Sequence, residues 1–224
     1  MRLEFSHTNA YVNPPASRMT KKGPKKTREQ TKQETREALV RAAMELFAKH
    51  GLDTPSLDDI CERAGFTRGA FYVHFADRDA IVTAVMEKVG RTFLDALYQS
   101  EEDDLETIAQ RFLLALASGA YPLTRRGGIR PYQLLDACAR STSIRKQYVA
   151  LVEETIARLS QATRKSQKKK AVRGDLSGEG MGLMLVCLVI GVQTLMDLEV
   201  PIDPAKNASW ILKLLQPHGT ERTA

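Results

Sequence analysis

The sequence has few of the residues that build disulfide frameworks, metal sites and catalytic centres. Only three of its 224 residues are cysteine: Cys61, Cys138 and Cys187. They are odd in number, far apart and set in apolar segments, which predicts reduced, buried thiols and neither a disulfide framework nor a zinc site. The four histidines are scattered, and none is spaced as a metal-binding or acid–base pair with a carboxylate. We therefore expect no catalytic residue, no metal and no cofactor, and a helical enzyme is the less favoured alternative.

Signal peptides, long apolar runs and strand patterns are also missing. Residues 1–30 contain no apolar run before a cleavage site, which argues against secretion. The longest apolar run, Met181 to Val192, is well short of the roughly 18 residues of a membrane span. These absences predict a cytoplasmic protein without membrane contact. Because no segment alternates as a strand does, the fold should be all-α.

Positive charge is present in excess, and it is concentrated at the N-terminus. The formal net charge is +6, and the first 28 residues combine three prolines with a series of lysines and arginines. This composition predicts a disordered basic arm at 1–28. The arm could add phosphate contacts beside a DNA site, or it could be a solvated tail, including one created if translation starts at Met19.

The most informative stretch is residues 56–75, which reads as two short helices joined by a tight turn. Ser56 followed by Asp59 has the spacing of a capping box and predicts a helix at about 57–64. Gly65 ends that helix, and Thr67 is a favoured cap for a second one. Such a helix-turn-helix can place its second helix in the DNA major groove, although spacing alone also fits an ordinary helical hairpin.

Residue identity favours the DNA-binding alternative. The series A-G-F-T-R-G-A-F-Y-V-H-F at 64–75, preceded by L-F-A-K-H-G at 46–51 and followed by Arg78, resembles the N-terminal signature of the tetracycline-repressor-like (TetR) family of bacterial transcription regulators. The resemblance covers roughly residues 35–85. It implies a three-helix DNA-binding head on a helical bundle that binds a ligand and dimerises, and a protein that is not an enzyme.

Several DNA contacts are predicted from side-chain chemistry. Arg68 lies near the start of the second helix, where its planar fork can reach guanine O6 and N7. Ser56 and Thr67 lie at helix starts, where hydroxyls and backbone N–H groups can hold phosphates. Gly69 allows close approach of the backbone, and Arg36 in the first helix is a weaker phosphate candidate.

Three further contacts are implied by the family resemblance. Tyr72 and His74 match positions that face the DNA backbone, and Arg78 takes the place of the family's usual lysine as a phosphate-binding cation. For His74 the alternative is a hydrogen-bonded packing residue.

Helical periodicity divides the rest of the chain. A first helix at 29–50 completes a head at 29–76, and a long helix at 78–99 links it to a bundle at 77–217, followed by a tail at 218–224. The other predicted helices are 105 to a stop at Gly119, 131–141, 143–164, 181–198 and 205–216, with a polar loop from Lys165 to Gly180. The wide apolar faces of 143–164 and 181–198 are our candidates for a homodimer interface, with internal core as the alternative.

A small uncharged or amphipathic organic effector is expected in the bundle, because no charged group recurs on its apolar faces. The candidate lining residues, each of which could instead be plain core, are Phe93, Phe112, Leu116, Tyr121, Tyr132, Leu135, Cys138, Met181 and Met184. The expected function is a ligand-released repressor that binds a palindromic, double-stranded DNA operator as a dimer. The alternative is a constitutive DNA-binding protein with a filled core and no effector.

Overall fold

Helices account for all the regular secondary structure in the part of the chain that the computed structural model describes, residues 27–117, 129, 131–202, 213 and 215–217. Side chains are not described for Leu116, Ala117 and Pro131. The predicted all-α fold is confirmed. The helices are α1 (Arg28–His50), α2 (Leu57–Ala64), α3 (Arg68–Tyr72), α4 (Arg78–Leu97), α5 (Leu105–Ala117), α6 (Pro131–Arg140), α7 (Thr142–Lys168) and α8 (Gly178–Asp197).

Three predicted segments lie wholly or largely outside the described residues: the basic arm up to residue 26, most of the helix at 205–216, and the tail at 218–224. Arg28, which we assigned to the arm, is instead the first residue of α1. Thr27 caps that helix through its side chain, which accepts a hydrogen bond from the Gln30 N–H at 3.2 Å.

The predicted loop from Lys165 to Gly180 is wrong at both ends. Helix α7 continues to Lys168 because its last turns carry buried small residues, and the Oγ of Ser166 accepts a hydrogen bond from the N–H of Leu105 at the start of α5. Helix α8 begins at Gly178, where Ser177 caps it. Charge alone suggested a solvated loop, but only 169–177 lies outside the helices.

Helices α1 to α4 enclose the core of the head. The apolar stripe of α1 is buried as predicted, with Leu39 and Phe47 fully inaccessible, and it packs with Ile60 of α2 and Phe71 of α3. Phe75, which we placed on the second helix of the pair, lies beyond the end of the five-residue α3 but is still buried.

This core does not stop at the predicted domain boundary. Leu134, Ala137 and Cys138 of α6 are buried in the same cluster as the head residues. Arg140, at the end of α6, also donates to the carboxylate of Asp53 in the turn before α2, at 3.1 Å. The head and the bundle are therefore continuous in their packing.

Helices α7 and α8 approach each other very closely. A Cβ atom added at Gly178 would lie 2.7 Å from the backbone oxygen of Ser160, and one added at Gly182 would lie 2.8 Å from that of Ile156. Both distances are shorter than side chains tolerate. Glycine is required here because the backbones themselves are in contact.

The opposite side of α8 is apolar and exposed. Its exposed residues include Leu183, Met184, Leu195 and Cys187, a thiol that we expected to be buried. Within one chain this face lacks a packing partner among the described residues, and the homodimer interface stays a prediction.

Among the described helices, α8 alone is long and apolar enough by composition to cross a membrane, with a mean hydropathy of 1.8 over 18 residues. Our expectation was based on the shorter run from Met181 to Val192. A single such helix is weak evidence for a span, since a core helix passes the same test.

We predict that two glycines of α8, Gly182 and Gly191, differ in their response to substitution by alanine. Gly182→Ala should lower the free energy of unfolding by about 1–3 kcal/mol relative to Gly191→Ala, because only the first methyl group meets backbone atoms. Both substitutions carry the same gain in helix propensity, which cancels in the comparison. Urea denaturation measures the difference, and equal stabilities would contradict the close packing of α7 and α8.

Candidate DNA-binding and effector sites

The turn between α2 and α3 is held by caps at both helix starts. The backbone N–H of Ser56 donates to Asp59 Oδ2 at 2.7 Å, while Ser56 Oγ accepts from the N–H of Asp59 at 3.2 Å, which completes the predicted capping box. The backbone N–H of Ser56 and its Oγ, which donates to Asp59 Oδ2 at 2.8 Å, lower the pKa of the Asp59 carboxyl. Gly65 has a φ of 76°, in the left-handed region, and open space around its Cα, so backbone conformation is what requires glycine.

Helix α3 presents a small exposed face above a buried anchor. Phe71 is fully buried, whereas Tyr72 and Val73 are 54% and 65% exposed. A side chain at Gly69 would meet only the Thr67 hydroxyl, at 3.7 Å, so the backbone is open to an incoming surface. Large apolar side chains exposed at the tip of a rigid turn are typical of a binding surface.

Arg68 lies on this face with an ionic partner that the sequence analysis missed. Its Nε atom is 2.8 Å from Asp58 Oδ1, and both side chains are more than half exposed. The pair joins the first turn of α2 to the first residue of α3. Arg68 is therefore accessible for base readout but must leave Asp58, or share it, when it binds a base.

A second cluster combines α1 with the residues after α3. Burial and the positive charges of Lys32 and Arg36 lower the pKa of His74. The guanidinium of Arg36 lies over the ring of Phe75, 5.2 Å from its centroid, which orients it. Lys32, Arg36 and His74 thus form a concentration of nitrogen donors suited to a phosphate.

Arg78 is turned inward, toward the turn between α1 and α2. Its guanidinium donates to the backbone oxygens of Leu52 and Pro55 and lies over the ring of Phe47, 5.6 Å from its centroid. The start of α4 is thereby tied to the turn between α1 and α2. The phosphate contact of Arg78 stays a prediction, and the described bonds compete with it.

A cavity of about 290 Å³ lies in the bundle, lined mainly by α4, α5, α7 and α8. Phe93 and Phe112 are on its wall, with ring centroids 6.4 Å apart in an edge-to-face arrangement. Among the described residues no charged side chain lines it. No group of three or more His, Cys, Asp or Glu side chains that could hold a metal ion occurs in that part of the chain.

Residues 39–85 match the family model described as bacterial regulatory proteins, tetR family. The chain carries the N-terminal domain of the TetR family. The match includes α2, α3 and the turn between them, so the elements described above coincide with the family's domain.

Similarity to individual proteins of this kind extends the comparison. The chain is 38% identical to the HTH-type transcriptional regulator TtgR of Pseudomonas putida over 80 residues, which are 36% of this chain and 38% of TtgR. The solved structure of the regulatory protein TetR from Rhodobacter sphaeroides has a TM-score of 0.67 at 20% identity, covering 81% of this chain and 98% of the other.

A third comparison is with SmeT of Stenotrophomonas maltophilia, solved in complex with triclosan. That structure has a TM-score of 0.59 at 21% identity and covers 80% of this chain and 87% of SmeT. The chain matches less than half the length of the first curated relatives. Sequence similarity therefore supports the N-terminal TetR domain, and structural similarity supports the fold of the whole.

Five of the predicted effector contacts do not line this cavity, whereas Phe93 and Phe112 do. Cys138 is buried in the core shared with the head, and Met181 is fully buried between α5 and α8. Tyr132, Leu135 and Met184 are exposed and do not line the cavity. Periodicity identifies buried faces, but it does not reveal which of these faces enclose space.

Two predicted contacts, Leu116 and Tyr121, lie outside the described side chains. The polar lining that we missed consists of Tyr98, Tyr148, Thr155 and Gln193. Burial raises the pKa of the Tyr98 and Tyr148 phenols, so both are neutral at physiological pH. A polar residue on an otherwise apolar helix face is the signal in the sequence for such positions. It becomes informative only once the cavity has been located.

We predict that DNA binding strengthens as the pH falls, through His74. In the free protein His74 is neutral near pH 7 because its pKa is lowered. A DNA phosphate against Lys32, Arg36 and His74 favours the imidazolium and raises that pKa, so the complex takes up a proton. Affinity should then rise by at most about tenfold per pH unit as the pH falls from about 8 to about 6.

Fluorescence anisotropy at constant ionic strength measures this dependence. His74→Gln should flatten the pH profile, whereas His50→Gln, at the end of α1, should keep it. A profile of unchanged slope in His74→Gln would remove the imidazole from the interface.

Proposed function

We propose that the protein is a DNA-binding transcriptional regulator that acts in the cytoplasm and not as an enzyme. The observation that carries this proposal is the exposed face of α3, where Arg68, Gly69 and Tyr72 stand on a doubly capped turn above the buried Phe71. An arginine fork on a rigid helix start suits guanine in the major groove, and the capped helix starts at Ser56 and Thr67 suit phosphates. TtgR, whose N-terminal region is similar, is an HTH-type transcriptional regulator.

Binding as a homodimer is the second part of the proposal. A single head reads few base pairs, so two heads about 34–36 Å apart are needed for a palindromic operator. The outward face of α8 supplies an apolar surface that one chain leaves uncovered, and Val149 of α7 is exposed as well. Pairing these helices across a two-fold axis forms a four-helix bundle and buries that face.

Ligand-controlled release of DNA is the third part. Helix α4 begins at the bonds between Arg78 and the turn before α2, and it ends with Phe93, Leu94 and Leu97 on the cavity wall. A ligand that fits the cavity better in one position of α4 shifts the spacing of the two heads, and DNA weakens ligand binding by the same factor. The fold neighbour SmeT forms a complex with triclosan, and the apolar, uncharged wall here favours a neutral organic molecule.

A constitutive DNA-binding protein is the alternative function. It would require a fully packed bundle, because an empty apolar cavity costs stability without giving a function. The cavity of about 290 Å³ favours the ligand-responsive regulator.

We predict that Arg68→Ala relaxes sequence preference. DNA selection with the purified protein should yield a palindrome, and the substitution should cost about 1–3 kcal/mol at one base pair of each half-site while affecting random DNA less. The matched control is Arg63→Ala, which also removes an exposed arginine paired to a carboxylate in the head. Equal losses by Arg68→Ala on operator and random DNA would contradict base readout.

We predict that Leu195→Glu, on the outward face of α8, yields a folded monomer. A charge at the centre of an apolar dimer interface would be buried without a partner, which opposes association. Operator binding should then weaken by at least about tenfold, since each head binds alone. Leu114→Glu on α5 is the control, because Leu114 is more exposed than Leu195 and lies outside the proposed interface.

Sedimentation velocity and circular dichroism distinguish the outcomes. A folded Leu195→Glu variant that remains dimeric would place the interface elsewhere.

A further inference from the structure

Gln193 is an exception in the wall of the bundle cavity. The wall is otherwise apolar apart from Tyr98, Tyr148 and Thr155. The Gln193 side chain belongs to the middle of α8 and is only 7% exposed. Its Nε2 atom is buried and has no hydrogen-bond acceptor among the described residues.

A buried amide donor without an acceptor is costly, because it has lost its bonds to water and gained nothing in return. Thr155 does not share this state, since its hydroxyl donates to the backbone oxygen of Leu151 at 2.7 Å. A leucine at position 193 would fill similar volume without the cost. The position of the amide therefore indicates an acceptor that the described residues do not supply.

We propose that Gln193 selects the effector of this cavity: its amide N–H donates to a hydrogen-bond acceptor on a neutral, largely apolar ligand. The inference rests on the proposed function, in which this cavity is the effector site. It adds the chemical class of the ligand and the residue that recognises it.

The wall and its size restrict that ligand further. No charged side chain of the described residues lines the cavity, and burial keeps the Tyr98 and Tyr148 phenols neutral, so an ionised ligand would lack a partner. An engineered apolar cavity of about 150 Å³ binds benzene, and this cavity is about twice that volume, which fits two fused rings. The acceptor is therefore a carbonyl or similar oxygen on a two-ring compound.

The probes for the test are 2-acetylnaphthalene and 2-ethylnaphthalene, which have nearly the same shape and differ in one carbonyl oxygen. Equilibrium dialysis against the full chain should give up to about tenfold tighter binding of the acetyl compound, after correction for partition into solvent. In Gln193→Leu the two probes should bind alike. Thr155→Val is the control, since that hydroxyl is already bonded, and it should keep the preference.

A second readout does not need a ligand. Removing the unsatisfied amide in Gln193→Leu should raise the melting temperature of the free protein by roughly 2–4 °C. Such a rise supports the proposal, and a fall would show that the amide has a structural partner. Failure of both probes to bind, or a preference unchanged in Gln193→Leu, would overturn it.

DNA release is measured separately by anisotropy with the operator. Probe binding that depends on Gln193 but releases no DNA would support this inference and contradict the proposed effector function. Release of DNA by both probes with no dependence on Gln193 would support the proposed effector function and contradict this inference.

Discussion

The burial of Phe47 is the constraint on which the rest of this structure depends. Its ring is inaccessible in the core that α1, α2 and α3 share with α6, and the guanidinium of Arg78 lies over it. The exposed face of α3 can be rigid only because Phe71 is anchored in the same core. Since well-packed interiors transmit strain and deform little, a shift of α4 or α6 must displace the head as a unit.

The bundle is packed less completely than the head. Between α4, α5, α7 and α8 the packing leaves a cavity, although Gly178 and Gly182 bring the backbones of α7 and α8 into contact next to it. One pair of helices is held as closely as backbones allow, while their neighbours stand apart. A ligand can move one helix relative to another when a cavity that accepts it lies beside rigidly packed helices.

Two polar side chains, Arg68 and Gln193, carry the proposed chemistry of this protein. Arg68 is paired with Asp58 at the surface, and the Nε2 atom of Gln193 has no acceptor among the described residues. The first pair is exposed and easily exchanged for DNA, because water screens it. The Gln193 amide is buried, so a hydrogen bond from it contributes more to the free energy of ligand binding.

The sequence by itself determined what depends on neighbours in the chain. The capping box of Ser56 and Asp59, the left-handed Gly65, the α1 stripe and the all-α fold follow from contacts within a few residues, which a pattern records. Tertiary structure decided the rest: the inward turn of Arg78, the Asp58–Arg68 pair, the end of α7 and the cavity, which Phe93 and Phe112 line and Cys138 and Met181 do not. Those features arise from contacts between residues that are distant in sequence. Periodicity predicts that a helix face is buried, but it does not predict which residues lie opposite that face or at what distance.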